Sequence, residues 1–316
     1  MDINERLDDT HREILGFFPL DLLDLSNLDG ARIRIAELFG ATPVELPKTI
    51  TVDDHSVDAD DGHQILVRTY SPPTPTGAAL YWIHGGGLVL GDVAMDDAHC
   101  AAIADELNIV VASVDYRLAP EFPYPTPLDD CSQAFEWFVS HSDQFGVDSN
   151  RIALGGGSAG AGLAAGLALR ARDRGTAQPC FQLLRYPMID DRNETPSSHA
   201  ITDTRVWNRP ANLTGWGAYL AGQNGTNDID AYAAPARATN LAGLPPAIVT
   251  VGELDMFLDE DITYAQAMLQ AGVPVELHVY PGAFHGSDTM VPHADASQRW
   301  RRDEMAALRR ALDLTD

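Results

Sequence analysis

The chain has 316 residues, is 45% hydrophobic, and carries 46 acidic against 21 basic side chains, a formal charge of −25. Such a surface disfavours nucleic acid and anionic membranes, and no stretch approaches the ~18 continuous apolar residues that suggest a spanning helix. The scattered Cys100, Cys131 and Cys180, with no C-x-x-C spacing, read as reduced thiols of a cytoplasmic protein, and the acidic N-terminus lacks the basic and apolar regions of a signal peptide.

Residues 1–45 have amphipathic helical spacing, with Leu7, Ile14, Leu22, Ile35, Leu38 and Phe39 among the anchors and Pro43 and Pro47 as stops. Two strand-like runs, 49–57 and 64–70, flank the hairpin signal Asp61-Gly62. The aspartates near that turn lack the spacing of a calcium loop. Strands are then predicted over 79–83, 109–114, 151–154, 181–186, 247–251 and 275–280. Helices are predicted over 97–107, 129–145, 159–174, 260–271 and 294–314. Short apolar runs alternating with helices imply a mostly parallel sheet covered on both faces, with the hairpin adding antiparallel strands at one edge. The stretch from Ile189 to about Asn240 breaks the rhythm. It is long, polar and contains Trp207, Trp216 and Tyr219, the pattern of an inserted lid or substrate-binding element.

The chemistry concentrates in a few places. Gly156, Ser158 and Gly160 form a G-x-S-x-G between a strand and a helix, the layout of a nucleophile elbow. His84-Gly-Gly-Gly87 supplies a loop whose N–H groups can face a developing oxyanion. A serine nucleophile needs a base, and His285 follows the last predicted strand, in the expected chain order of serine, carboxylate, histidine. The orienting carboxylate is sought just after the preceding strand. Asp255 is best placed there, with Glu253, Asp259 and Glu260 as rivals. Gly155, Gly157 and Gly160 also satisfy a dinucleotide fingerprint, but several strands precede them and no acidic residue stands near 178–180 to take a ribose. A metal cluster of His278, His285 and His293 lacks a known spacing and would leave Ser158 without a base. No metal and no cofactor are expected.

These segments, with the run Val114-Asp-Tyr-Arg-Leu-Ala-Pro-Glu121 and the pair Asp259-Glu260, resemble the bacterial branch of the hormone-sensitive-lipase-like family of α/β-hydrolase carboxylesterases. The resemblance implies an α/β-hydrolase fold, a mostly parallel eight-stranded sheet flanked by helices, with a helical cap. Residues 1–45 and 189–240 would form the cap, and 46–188 and 241–316 the core. It further implies a serine carboxylesterase acting on short-to-medium-chain esters through a Ser158–His285–Asp255 triad and an acyl-enzyme. Gly85, Gly86 and Ala159 would form the oxyanion hole, with His84 and Gly87 orienting the loop. Leu88, which stands where an aromatic is usual, would line an apolar cleft with Trp207, Trp216 and Tyr219, as would Phe17, Phe18 and Leu20; the bland alternative is that several only pack the cap onto the core. The expected partner is a small ester, and relatives often pair into a homodimer through the last strand or helix. An amidase or lactonase on the same triad is the alternative reading, as is a non-catalytic receptor on a hydrolase scaffold, a branch that tends to lose the histidine present here.

Overall fold

The computed structural model describes residues 3–40 and 45–314, and side chains throughout these except 38–40. The expected stop at Pro43, and the side chains of Leu38 and Phe39, therefore lie outside the described residues. Two helices open the chain, α1 (Asp9–Leu15) and α2 (Leu28–Gly40). α1 starts where the Asp8 carboxylate accepts the His11 N–H, a cap that satisfies one orphan donor of the first turn. Between the two helices the chain runs through turns rather than continuing as helix.

The hairpin forms from β1 (Thr51–Asp58) and β2 (Gln64–Ser71), paired antiparallel. Then follow β3 (Ala79–Ile83), α3 (Asp97–Leu107), β4 (Val110–Asp115), α4 (Thr126–Ser140), β5 (Ile152–Gly157), α5 (Ala159–Arg174) and β6 (Phe181–Arg185). Helices α6 (Pro196–Ala200) and α7 (Arg209–Tyr219) precede β7 (Ala247–Leu254), α8 (Leu258–Gln270), β8 (Val275–Phe284), α9 (Ser287–Met290) and α10 (Asp295–Ala311). Among the described residues the strands make one eight-stranded sheet in the order β1-β2-β4-β3-β5-β6-β7-β8. Pairing is antiparallel from β1 to β4 and parallel from there to β8. This is an α/β-hydrolase fold.

Residues alternate between two cores across the sheet. Tyr81 and Ile83 pack with α4, α5 and α8, while Leu80 and Trp82 pack with α3 and α10. Because both faces of β3, β5 and β6 are covered, every residue in them is buried. A sequence buried on both sides carries no polar alternation. Several strands outrun their predicted ends, β5, β7 and β8 by three residues or more. β5 continues through Gly155, Gly156 and Gly157, because β3 and β6 hold these glycines in register from both sides. β8 continues to Phe284, which pairs with Leu254. α4 is shorter than predicted, giving way to a 3-10 turn over Ser142–Phe145.

The order of strand addition reverses after β4, so β3 and β5 are neighbours although two connections separate them. Ligand sites in open parallel sheets form at such a switch point, beyond the carboxyl ends of the strands. The glycine loop leaves β3 and Ser158 leaves β5 at that spot. No helix among the described residues is long and apolar enough to cross a membrane.

Candidate active site

The turn from β5 into α5 holds Ser158 at φ 57°, ψ −119°, a conformation that costs a residue with a Cβ roughly 1–3 kcal/mol. Its neighbours make the turn possible. A Cβ on Gly156 would come within 2.4 Å of the Gly160 carbonyl carbon, and one on Gly160 within 2.0 Å of the Ile83 oxygen. The Ser158 N–H donates to the Arg185 carbonyl at 2.9 Å, and its carbonyl accepts from Gly162 and Met188 at 3.0 and 3.1 Å. The strained residue is thus tied to the sheet, the helix and the segment after β6.

His285 leaves the end of β8 and Asp255 the end of β7. The His285 Nε2 lies 3.0 Å from the Ser158 Oγ, and its Nδ1 lies 2.7 Å from the Asp255 Oδ2. Asp255 is buried, and its other oxygen accepts the Phe257 N–H at 3.0 Å. The imidazole is held edge-on to Phe257 at 5.2 Å and against Tyr186 at 4.5 Å. The rival carboxylates are engaged elsewhere. Glu253 accepts the Gly282 N–H and pairs with Arg6. Asp259 accepts the Ser197 N–H. Glu260 accepts the N–H groups of Ile189 and Asp190, and burial pushes its carboxyl well above the usual range.

The glycine loop is wedged between the nucleophile and α7's approach segment. A Cβ on Gly85 would stand 3.5 Å from the Ser158 Cβ, and one on Gly87 (φ +60°) only 2.0 Å from the Trp207 ring. Gly86, at φ +111°, has a backbone that a side chain rarely adopts. Among the described residues, the N–H groups of Gly85, Gly86 and Ala159 find no backbone acceptor. Ala159 also opens α5, where the helix dipole favours negative charge. The buried His84 ring bonds the Gly85 carbonyl at 2.8 Å and stacks on Tyr116 at 4.3 Å. The Tyr116 hydroxyl in turn donates to the His84 carbonyl at 3.1 Å. His84 therefore holds the loop from behind and does not reach Ser158 through any described bond.

A cleft of about 140 Å³ opens over Ser158 and His285, with Trp82, Leu90, Met95, Tyr186, Trp207 and Met290 in its walls. Leu23 and Ile35 close it from the N-terminal side. Of the expected substrate contacts, Trp207 is in the wall. Leu88, Trp216 and Tyr219 are not, which corrects that expectation. Leu88 sits at φ +70° and turns into the core. Trp216 and Tyr219 occupy the inward face of α7, where they pack on one another and Tyr219 meets the Tyr124 ring. Phe17 and Leu20 point to solvent, 77% and 72% exposed. Trp82, Asp96, Arg185 and Tyr186, also in the cleft, escaped sequence reasoning. Parity along β3 was the available signal for Trp82, since it faces away from Tyr81.

Comparison with known proteins agrees with this architecture. A family model described as alpha/beta hydrolase fold matches residues 80–289. The chain is similar to the esterase LipI of Mycobacterium tuberculosis, 37% identical over 278 residues that span 87% of this chain and 85% of that protein. It is similar to an ethyl acetate hydrolase of Pseudomonas putida, 33% identical over 262 residues, 81% of this chain and 82% of that one. Among solved structures, a bacterial heroin esterase superposes with a TM-score of 0.93 at 40% identity, covering 98% of each chain.

Proposed function

Since this chain belongs to the hormone-sensitive-lipase-like family of α/β hydrolases and is a carboxylic ester hydrolase, we propose that Ser158, His285 and Asp255 are its catalytic triad and that it turns over short-chain esters through an acyl-enzyme. The Ser158 Oγ attacks the ester carbonyl while its proton passes to the His285 Nε2. Asp255 keeps the Nδ1–H tautomer in place and stabilises the imidazolium that forms. The carbonyl oxygen, now carrying the negative charge, is received by the N–H groups of Gly85, Gly86 and Ala159. Each such donor is worth on the order of 3 kcal/mol in the transition state. His285 returns the proton to the departing alkoxide, and a water deprotonated by the same nitrogen then releases the acid.

The observation that carries this reading is the unbroken hydrogen-bonded line from the Ser158 Oγ through the imidazole to a buried carboxylate, at 3.0 and 2.7 Å. A small cleft supports a short acyl chain. At about 140 Å³ it matches the ~150 Å³ cavities known to admit a benzene-sized guest. Residues 3–40 and 189–240 act as the cap that encloses it, contributing Leu23, Ile35 and Trp207.

Fluorophosphonate treatment followed by intact-mass measurement tests the nucleophile. One adduct is expected on the native chain and none on Ser158→Ala. An adduct that persists in the variant would sink the assignment. A p-nitrophenyl ester series should peak at short acyl chains; an optimum beyond about 12 carbons would contradict the size of the cleft.

A further inference from the structure

The cleft is mostly apolar, yet it contains a carboxylate that the triad does not use. Asp96 ends a 3-10 turn and stands at the N-cap position of α3, where an aspartate ordinarily accepts an N–H of the first turn. Its side chain makes no such bond. It turns instead into the cleft, where its Oδ2 accepts the Trp82 Nε1–H at 2.7 Å. Among the described residues the second oxygen accepts nothing further, and no basic side chain lies within ion-pair distance of Asp96. The nearest cation in the wall is already committed. Arg185 binds Glu304 through Nε at 3.0 Å and Asp288 through a terminal nitrogen at 3.1 Å. That guanidinium thus pairs with two carboxylates, and Asp96 has no ion pair of its own among the described residues. Arg185 also lies 5.3 Å from the Trp82 ring centroid, so a cation already uses an aromatic face of this wall.

We propose that the cleft selects esters bearing an ammonium group, held by the Asp96 carboxylate among the aromatic side chains of the same wall, Trp82, Tyr186 and Trp207. The proposal rests on the esterase reading above and specifies its substrate class. A carboxylate beside aromatic faces is a recognition set for quaternary or tertiary ammonium, because the charge meets both an anion and ring quadrupoles. Esters carrying a carboxylate meet Asp96 instead and are rejected. The chain's overall charge of −25 adds attraction for a cationic substrate during approach. Burial is the main influence raising the Asp96 pKa, with Asp288 adding to it, while Trp82, His84 and Arg185 oppose it. Asp97 and His99 are the titratable groups nearest in sequence on α3, and Asp97 is bound to Arg68 and Tyr70. Because that shift disfavours the charged form, raising the pH favours the carboxylate, and assays are best made at alkaline pH.

The test compares butyrylcholine with 3,3-dimethylbutyl butyrate, which has the same shape without the charge, by pH-stat titration at pH 8. The native protein should favour the charged ester by about tenfold in kcat/KM. Asp96→Asn keeps an acceptor for Trp82, and in it the ratio should fall to about one, whatever change the two substrates share. Asp96→Glu should restore a preference for the cation. A native ratio at or below one, or an undiminished ratio in Asp96→Asn, overturns the proposal. Native protein that cleaves p-nitrophenyl butyrate but neither of these esters also overturns the proposal, whereas no activity on any of the three would overturn the triad reading on which it stands.

Discussion

At the scale of single residues, the proposed reacting groups are legible because chemistry restricts both their type and their order. A serine in a glycine-bounded turn, a carboxylate after one strand and a histidine after the next leave few alternatives, and among Asp255, Glu253, Asp259 and Glu260 the coordinates favour Asp255, which bonds His285. Ser158→Ala and His285→Ala should each lower kcat on p-nitrophenyl butyrate by about 10⁶-fold, because the groups act as a unit. Asp255→Asn should cost about 10⁴-fold, the usual loss when the imidazole is held in the wrong tautomer. Stopped assays with protein in excess would read both. The substrate wall was less legible. Trp207, Trp216 and Tyr219 look alike as letters, and only the packing of α7 and of the segment before it decides that the first faces the cleft and the others the core. Trp82 and Asp96 were hidden for different reasons: β3 is apolar on both faces, so the parity that sets Trp82 apart from Tyr81 does not tell which face carries a site, and Asp96 stands among the acidic residues at the start of α3, where it reads as a cap.

At the scale of elements, α5 and α8 make opposite demands. α5 lies so close to β3 that a Cβ on Gly160 would strike the backbone oxygen of Ile83, an atom that cannot rotate away. Gly160→Ala should therefore destabilise by about 3 kcal/mol or more despite the better helix propensity of alanine, visible as a large drop in Tm. The sequence pointed to this close approach, since small residues crowd the start of α5. What it could not indicate was the extension of β5 through three glycines, which depends on neighbours supplied from elsewhere in the chain. In α8, Asp261 is fully buried and neither of its oxygens has a described hydrogen-bond partner. Burial and the nearby Glu260 and Asp255 raise its carboxyl well above its ordinary value of 3.8. The folded state thus binds this proton more tightly than the unfolded chain does. The associated stability is full below about pH 4 and is lost as pH rises toward the folded pKa. Asp261→Asn removes that loss, so in a thermal-shift series its Tm should gain on the native protein as pH rises above about 4, the side on which the unfolded carboxyl ionises first.

At the scale of the molecule, composition fixed the class of surface and the alternation of strands and helices fixed the layered sheet. The 46 acidic side chains outnumber the 21 basic ones, and the compact state must bear their mutual repulsion. Raising NaCl from 10 mM to about 0.5 M shortens the Debye length from ~30 Å to under 5 Å and should raise Tm by a few degrees. A fall in Tm across that range would show that attractive pairs such as Arg117 with Asp130 outweigh the repulsion. The switch point between β3 and β5 has one more consequence. The loop at residue 84 and the imidazole at residue 285 come from distant parts of the chain and meet only after β8 has joined the sheet's far side. Turnover is therefore a late signal in refolding: helical circular dichroism should return first, and ester cleavage should reappear only when the last strand docks.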